Sequence, residues 1–279
     1  MRNDWPERSD PGNFSGVPDD TPPPVVLTIA GSDNSAGAGA QADLKTFSAL
    51  GVYGLTAITC VVAEVPGKVS AIHAIPAEVV AEQIRLCLAA FPVAAVKTGM
   101  LYSTEIVERV CDLLDAATMP LVVDPVMVAT SGDSLLRTEA VELYRQRLFR
   151  RATIVTPNMD EAAVLTRRPV RTLAEMREAG AELAARHGCA WLLKGGHLGG
   201  EEATDLLFHA DGTVSELRGE RVAGVSTHGT GCTTSAAIAA GLAHGLGLAD
   251  AVAQAKRFVT GAIRHHHRWG GIHALNHGA

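Results

Sequence analysis

The chain has 279 residues, with 24 basic and 30 acidic side chains and a formal net charge of −6 at pH 7. Because this mildly acidic composition lacks a block of Lys and Arg, we expect no nucleic-acid partner. No apolar run approaches the roughly 18 residues of a membrane helix, and residues 1–24 hold no apolar core of a signal peptide. The five cysteines are scattered and never spaced Cys-x-x-Cys, which predicts reduced thiols rather than disulfides or a zinc site. We therefore expect a soluble cytoplasmic protein without membrane contacts.

Two regions of the chain differ in residue composition and hydrophobic pattern. Residues 1–24 contain many of the chain's 13 prolines and no hydrophobic periodicity, which predicts a disordered tail. From residue 25 to residue 279, short apolar runs alternate with longer amphipathic stretches, and no second boundary is visible. This alternation is typical of a single domain built from β-α repeats around a parallel sheet.

The predicted elements follow this alternation in order. Strands are expected at 25–30, 55–63, 93–97, 121–124, 153–156 and 190–194, where β-branched and aliphatic runs are bounded by Gly, Pro or polar residues. Helices are expected at 40–49, 77–89, 104–114, 138–148, 159–165, 173–186, 230–244 and 249–265. Residues 206–209 and 214–217, joined by Asp211-Gly212, predict a hairpin. The expected architecture is an α/β sandwich with an antiparallel addition.

The segment after the first strand, residues 31–39, consists of small residues and leads into a helix. Such a loop lets a ligand approach the backbone, since ligands of parallel sheets bind beyond the carboxyl ends of the strands. It has neither the Gly-Lys-Ser/Thr ending of a phosphate-binding P-loop nor dinucleotide-type glycine spacing. A tight strand-to-helix turn without a ligand explains it equally well.

The segment 227–234 places glycines at the start of a small-residue helix. The backbone amides of Gly229, Thr230 and Gly231, with the positive end of the helix dipole, could form an anion hole. The same field is expected to lower the pKa of Cys232, which would make this thiol a proton acceptor. A buried structural cysteine is the alternative. A cysteine hydrolase is a further one, because His228 precedes Cys232 by four residues, although no third orienting group follows from this turn.

Polar residues also follow three other predicted strands. Asn158 and Glu161 lie three residues apart at a helix start, where they could hold the water shell of Mg²⁺ or form an N-terminal capping box. Asp124 could act on metal or phosphate, and Lys194 could neutralise phosphate charge. Either residue could instead be solvated at the rim of the sheet.

Seven ordered motifs resemble the hydroxymethylpyrimidine and phosphomethylpyrimidine kinases of thiamine biosynthesis, within the ribokinase-like superfamily. They are TIAGSD at 28–33, QADLKTF at 41–47, KTGML at 97–101, VDPVM at 123–127, TPN at 156–158, KGGH at 194–197 and HGTGCT at 228–233. The resemblance extends from residue 25 to the end of the chain. It implies a three-layer α/β/α sandwich with a mostly parallel central sheet and a small antiparallel addition.

The resemblance also implies an activity and a set of site residues. The expected reactions are two ATP-dependent phosphorylations with Mg²⁺, first of 4-amino-5-hydroxymethyl-2-methylpyrimidine and then of its monophosphate, by a homodimer. Cys232 takes the position of the general base, and Gly229 to Cys232 form the anion hole. The expected pyrimidine pocket consists of Gly31, Asp33, Ala38, Val62, Glu64 and Met100. The expected nucleotide and metal residues are Asp124, Asn158, Glu161, Lys194 and Thr227.

Two positions depart from the family pattern. Ala36 stands where relatives usually have glycine, and Glu64 stands where they commonly have glutamine. A carboxylate only accepts hydrogen bonds, so Glu64 favours a pyrimidine that carries a ring proton. Because kinases of pyridoxine or pyridoxal in this subgroup also vary at this position, they are the alternative function. A pyrimidine-binding protein without catalysis is a weaker alternative.

Overall fold

In the computed structural model, the residues described are 21–127, 138–196, 198, 202–222, 224–225 and 228–279. Nearly all of the tail predicted at 1–24 and the predicted nucleotide residue Thr227 therefore lie outside the described residues. Among the residues described, no helix is both long enough and apolar enough to cross a membrane.

A nine-stranded sheet runs through the domain in the order β3-β2-β1-β4-β5-β6-β7-β8-β9. Its strands are β1 (Val25–Asp33), β2 (Tyr53–Val65), β3 (Lys68–Ala74), β4 (Val93–Thr98), β5 (Leu121–Val123), β6 (Ile154–Val155), β7 (Ala190–Gly195), β8 (Glu202–Phe208) and β9 (Val214–Glu220). The six strands from β2 to β7 in this order pair in parallel, while β3, β8 and β9 pair antiparallel at the two edges. A separate small hairpin joins β10 (His267–Trp269) to β11 (Ile272–Ala274).

The helices are α1 (Gly39–Ala49), α2 (Ala77–Ala90), α3 (Thr104–Leu114), α4 (Thr138–Leu143), α5 (Phe149–Arg151), α6 (Met159–Thr166), α7 (Leu173–His187), α8 (Thr230–Ala243) and α9 (Leu248–Arg264). A π-helical turn, Tyr144–Leu148, joins α4 to α5, where the sequence predicted one continuous helix. Two separate hydrophobic clusters cover the sheet, one containing residues of α2 to α7 and the other residues of α1, α8 and α9. The three layers follow from this division.

Burial on both faces explains the composition of the inner strands. Nearly every residue of β1 is buried, as expected of a parallel strand covered by helices on both sides. Since β1, β4, β5, β6 and β7 all run in the same direction, their carboxyl ends share one edge of the sheet. That edge brings the predicted site loops together.

Besides the π-helical turn, the structure differs from the predicted elements in two places. β2 continues to Val65 and turns back into β3, an edge strand that the sequence analysis missed. The hairpin expected at 206–217 is present as β8 and β9. The chain after α9 forms the small hairpin β10–β11, which the sequence analysis also missed. All five cysteines are free thiols in the structure, in agreement with the prediction.

Candidate active site

A cavity of about 820 Å³ extends along the carboxyl edge of the sheet. At one end it is lined by residues of the β2–β3 hairpin, including Glu64 and Val69, and at the other by residues of α9, including Val252 and Val259. Between these ends lie the first turn of α8 and the ends of the central strands. The lining of the cavity therefore comes from both edges of the sheet and from its centre.

The turn at the start of α8 requires glycine at its first position. Gly229 is the N-cap residue, with φ of 82°, and no side chain caps the helix. A Cβ atom on Gly229 would lie 1.8 Å from the carbonyl oxygen of Gly37, so this turn is packed directly against the 31–39 loop. Thr230, Gly231 and Cys232 line the cavity next to it. The predicted anion hole is thus built from backbone that faces the cavity.

Cys232 lies in the first turn of α8 and is partly exposed. Its thiol accepts a hydrogen bond from the backbone amide of Gly39. Removal from water raises the pKa of the thiol to about 12, while the positive charge of Lys97 acts in the opposite direction. The expectation that the helix field leaves this thiol with a lowered pKa is wrong, because desolvation outweighs the favourable charges.

A buried ion pair near Cys232 was not singled out by the sequence analysis. The ammonium of Lys97 lies 2.7 Å from Oδ2 of Asp43, and both side chains are fully buried. The hydroxyl of Thr28 donates to the same Asp43 oxygen at 2.6 Å. The available signal was a lysine within the apolar run of β4 and an aspartate within a helix that packs on the sheet, since charged residues are rarely fully buried unless they are paired.

Asp33 organises the loop that follows β1. Its carboxylate accepts hydrogen bonds from the backbone amides of Ser35, Gly37 and Ala38, at 2.7, 3.1 and 2.8 Å, and its Oδ2 lies 3.3 Å from Nε2 of His228. Burial raises the pKa of Asp33, but these hydrogen bonds outweigh that effect and lower the pKa to about 2. Asp33 does not line the cavity, and its oxygens are engaged by amides of the loop; its predicted contact with the substrate stays a prediction.

The other predicted substrate residues meet at one end of the cavity. The residues lining that end are Gly31, Ala38, Val62, Glu64 and Met100. A Cβ on Gly31 would lie 2.8 Å from both the Cys60 sulfur and the Met100 methyl carbon, so glycine keeps this part of the cavity open. Desolvation and the nearby charge of Asp33 raise the pKa of Glu64, which favours retention of a proton at this carboxyl.

Asp124 and Lys194 lie in the middle of the cavity. Asp124 Oδ1 is 3.4 Å from the Lys194 ammonium, and its Oδ2 accepts a hydrogen bond from the hydroxyl of Ser235 at 3.2 Å. Although burial opposes its charge, Asp124 and Glu161 raise the pKa of Lys194. A Cβ on Gly231 would lie 3.3 Å from the Lys194 ammonium, so the positive charge sits beside the anion-hole turn.

Asn158 and Glu161 form the capping box that the sequence left open as an alternative. Oδ1 of Asn158 accepts from the Glu161 amide at 2.9 Å, and Oε2 of Glu161 accepts from the Asn158 amide at 2.8 Å. Both residues also line the cavity, and burial together with Asp124 raises the pKa of Glu161 to about 8, against the opposing charge of Lys194. Capping therefore does not remove them from the site.

The far end of the cavity was not predicted from the sequence. The Lys256 ammonium on α9 lies 2.7 Å from Oδ2 of Asp205 and 2.8 Å from the Ala203 carbonyl oxygen, which links α9 to β8. Val259 and Ile263 supply apolar surface beside it. No local motif marks these residues, because they come from a helix, a strand and a loop that meet only in the folded chain.

Comparison with known sequences decides the family. The profile described as Phosphomethylpyrimidine kinase matches residues 33–277. The chain belongs to the phosphomethylpyrimidine kinase family. Among its relatives, the hydroxymethylpyrimidine/phosphomethylpyrimidine kinase of Rhizobium meliloti is 46% identical over 88% of this chain and 98% of its own length. The enzyme of the same name from Streptomyces coelicolor is 47% identical over 92% of this chain and 95% of its own length.

Solved structures agree with this assignment. Bacillus subtilis pyridoxal kinase, in complex with ADP, is 35% identical with a TM-score of 0.85 and covers 92% of this chain and 98% of its own. Phosphomethylpyrimidine kinase from Clostridium difficile is 38% identical with a TM-score of 0.75 and covers 86% of this chain and 99% of its own. The predicted ribokinase-like fold, family and class of enzyme, a hydroxymethylpyrimidine and phosphomethylpyrimidine kinase, are confirmed.

Proposed function

We propose that this chain transfers the γ-phosphoryl group of ATP to the hydroxyl of 4-amino-5-hydroxymethyl-2-methylpyrimidine and then to the resulting monophosphate. The names of its relatives support both reactions. The observation that carries the proposal is the position of Cys232 and the glycine turn of α8, between the substrate end of the cavity and the Asp124–Lys194 pair. ATP as donor is supported by the Staphylococcus aureus pyridoxal kinase, 36% identical with a TM-score of 0.85, which binds AMP-PCP.

In this mechanism the pyrimidine lies between Val62, Glu64 and Met100, with its hydroxymethyl group directed toward Cys232. The thiolate form of Cys232, a minor fraction at neutral pH because the pKa of this thiol is raised, accepts the hydroxyl proton while the hydroxyl oxygen attacks the γ-phosphorus, and ADP leaves. Backbone amides of Gly229, Thr230 and Gly231 stabilise the charge that develops on the transferred group. The Lys194 ammonium supplies further positive charge beside that turn.

The donor set suits Mg²⁺ as well. Glu161 and Asn158 line the cavity with carboxylate and amide oxygens, and no group of three or more metal-binding side chains occurs among the residues described. One or two protein carboxylates with retained waters and substrate phosphates are the usual surroundings of this ion. We assign Glu161 and Asn158 to hold it, and the ion would supply charge neutralisation to the nucleotide phosphates. We further propose a cytoplasmic homodimer, supported by free thiols and by exposed apolar side chains such as Val69 and Leu86.

Phosphorylation of pyridoxine or pyridoxal is the second candidate. It is favoured by the similarity to pyridoxal kinases and by Glu64 at a position where glutamine is common. A cysteine hydrolase is disfavoured, because Nε2 of His228 faces the Asp33 carboxylate. A silent pyrimidine-binding protein is disfavoured by the complete set of Cys232, Lys194 and Glu161 along the cavity.

An assay of ATP consumption with the four acceptors, the pyrimidine alcohol, its phosphate, pyridoxine and pyridoxal, tests the proposal. We expect turnover with both pyrimidines, and Cys232→Ala is expected to lower it by about 10²–10⁴ with pyrimidine affinity nearly unchanged. Cys87→Ala is the matched control, since Cys87 is partly exposed on α2 and does not line the cavity. Unchanged turnover in Cys232→Ala contradicts its role, and preference for pyridoxal contradicts the substrate.

A further inference from the structure

The Asp43–Lys97 pair joins three elements beneath the active site. Asp43 comes from α1, Lys97 from β4, and Thr28, which donates to Asp43, from β1. None of these side chains is exposed to solvent. The second carboxylate oxygen of Asp43, Oδ1, is buried and has no hydrogen-bond partner among the residues described. This is an incompletely satisfied ion pair in the interior of the domain.

Such a pair is a poor choice for stability alone. Burying two charges costs desolvation energy that their attraction repays only with good geometry and satisfied hydrogen bonds, and apolar replacements of similar volume are often as stable. The chain nevertheless retains a buried carboxylate with one unpartnered oxygen and a buried ammonium. A role in the nearby active site would give a physical reason for the buried Asp43–Lys97 pair.

Cys232 is the group near this pair that a buried ammonium would affect. Lys97 and Cys232 both line the cavity, and α8, which carries Cys232, packs against α1 and β4, the elements of Asp43 and Lys97. Within the residues described, the charged side chains that act on Cys232 are Lys97 from β4, Asp43 from α1, Asp124 after β5 and Lys194 on β7. Of the two cations, Lys194 is paired with Asp124, and Lys97 is paired with Asp43 of α1.

We propose that Lys97, held in place by Asp43, is a positioning residue whose fixed positive charge stabilises the Cys232 thiolate that receives the substrate proton. The inference deepens the proposed function and rests on the role of Cys232 in it. Before transfer, the reactive form has one negative charge on the Cys232 sulfur and one positive charge on Lys97, which is also paired with the Asp43 carboxylate, so the three groups together carry one negative charge. After transfer, the proton is on sulfur and the substrate oxygen is bonded to phosphorus, so Lys97 itself neither gains nor loses a proton.

Charge and burial both support this role. Desolvation raises the pKa of Cys232 to about 12, and Lys97 is the largest opposing influence on it. Burial disfavours the charged form of Lys97. The negative charge of Asp43 and, to a smaller extent, that of Cys232 raise the pKa of Lys97, so this side chain stays an ammonium. Asp43 therefore has two effects that oppose each other: it fixes the cation, and its own negative charge disfavours the thiolate.

The thiol itself provides the readout. We would measure the rate at which iodoacetamide alkylates Cys232 in the folded variants, by mass spectrometry of peptides from quenched samples, from about pH 6 to 9, where the rate follows the thiolate fraction. Lys97→Met is expected to slow alkylation at least tenfold at every pH, and Lys97→Arg, which keeps the charge, is expected to restore most of it. Asp43→Asn is expected to speed alkylation, because Lys97 keeps its charge beside Asp124 while one negative charge is lost.

Alkylation of Cys87, partly exposed on α2, is the internal control for loosened structure. If the role of the pair were purely structural, Lys97→Met and Asp43→Asn would both increase the alkylation rates of Cys232 and Cys87. The double variant Asp43→Asn/Lys97→Met, which leaves no unpaired buried charge, is expected to fold and still to react more slowly than wild type. Equal alkylation rates in wild type and Lys97→Met, or faster alkylation in the double variant, overturn the proposal. Because no phosphoryl transfer is measured, failure here is distinguishable from failure of the kinase assay.

Discussion

The contact between Gly229 and the 31–39 loop predicts a large catalytic effect from one added methyl group. In Gly229→Ala the new Cβ would lie 1.8 Å from the Gly37 carbonyl oxygen. An ordinary carbon–oxygen contact needs about 3.3 Å, so the anion-hole turn and the loop must separate by about 1.5 Å. Because a displacement of about 1 Å in an active site can cost 10²-fold, we expect turnover to fall by at least about 10².

Gly245→Ala, just beyond the other end of α8, is the matched control. Gly245 follows the carboxyl end of α8 with φ of 80°, close to the 82° of Gly229, but a Cβ there meets nothing within 4 Å. Both variants carry the strain of a left-handed alanine, roughly 1–2 kcal/mol, and only Gly229→Ala carries the clash. Turnover is measured by ATP consumption with the pyrimidine alcohol, and stability by urea unfolding.

The expected result is a loss of turnover in Gly229→Ala together with near-normal turnover in Gly245→Ala, with the larger loss of stability in Gly229→Ala because only this variant carries the clash; turnover is compared where urea unfolding shows both variants to be folded. If Gly229→Ala retains turnover within about threefold of Gly245→Ala, then the turn and the loop move apart without harm, and the anion hole does not need that contact.

Three further outcomes are expected. Asn158→Ala/Glu161→Ala should raise the Mg²⁺ concentration needed for half-maximal turnover. Thr172 and Glu175 form a similar but exposed capping box at the start of α7, so Thr172→Ala/Glu175→Ala should lower stability only. Affinity for the aminopyrimidine, measured by calorimetry, should weaken as pH rises, because the complex needs one proton shared between Glu64 and the ring. The raised pKa of Glu64 favours the binding of that proton, and Glu64→Gln should flatten the pH dependence of the affinity. Ala36→Gly should raise the free energy of unfolding by about 0.5–1 kcal/mol, because Ala36 has φ of 58°.

Each of these expectations has a contradicting result. An unchanged Mg²⁺ requirement in the double variant would leave Asn158 and Glu161 as helix caps alone. A pyrimidine affinity that is independent of pH in the wild-type protein would exclude a proton shared with Glu64. Lower stability of Ala36→Gly would mean that the loop tolerates alanine without strain; Ala38→Gly, at an extended position of the same loop, is the control that should lose stability.

The sequence by itself determined the order of strands and helices and the location of most site residues. Strand and helix periodicities are local, and in a parallel sheet the carboxyl ends of the strands must share one edge. The loop 31–39, Asp124, Asn158, Lys194 and Cys232 could therefore be assigned to one site before any coordinates were known. Edge strand β3 and hairpin β10–β11 were missed because they are short or polar, and their pairing partners set their conformation.

Only the tertiary structure decided the contacts and the charge state of each candidate site residue. Asp33 serves the loop because its oxygens meet three backbone amides, which no sequence pattern specifies. Lys97 and Asp43 are 54 residues apart, and their pairing follows from the packing of α1 against the sheet. The pKa of Cys232 reversed its expected direction because desolvation depends on what surrounds a thiol in three dimensions. Burial and long-range pairing are properties of the packed chain, and they set the electrostatics on which this site depends.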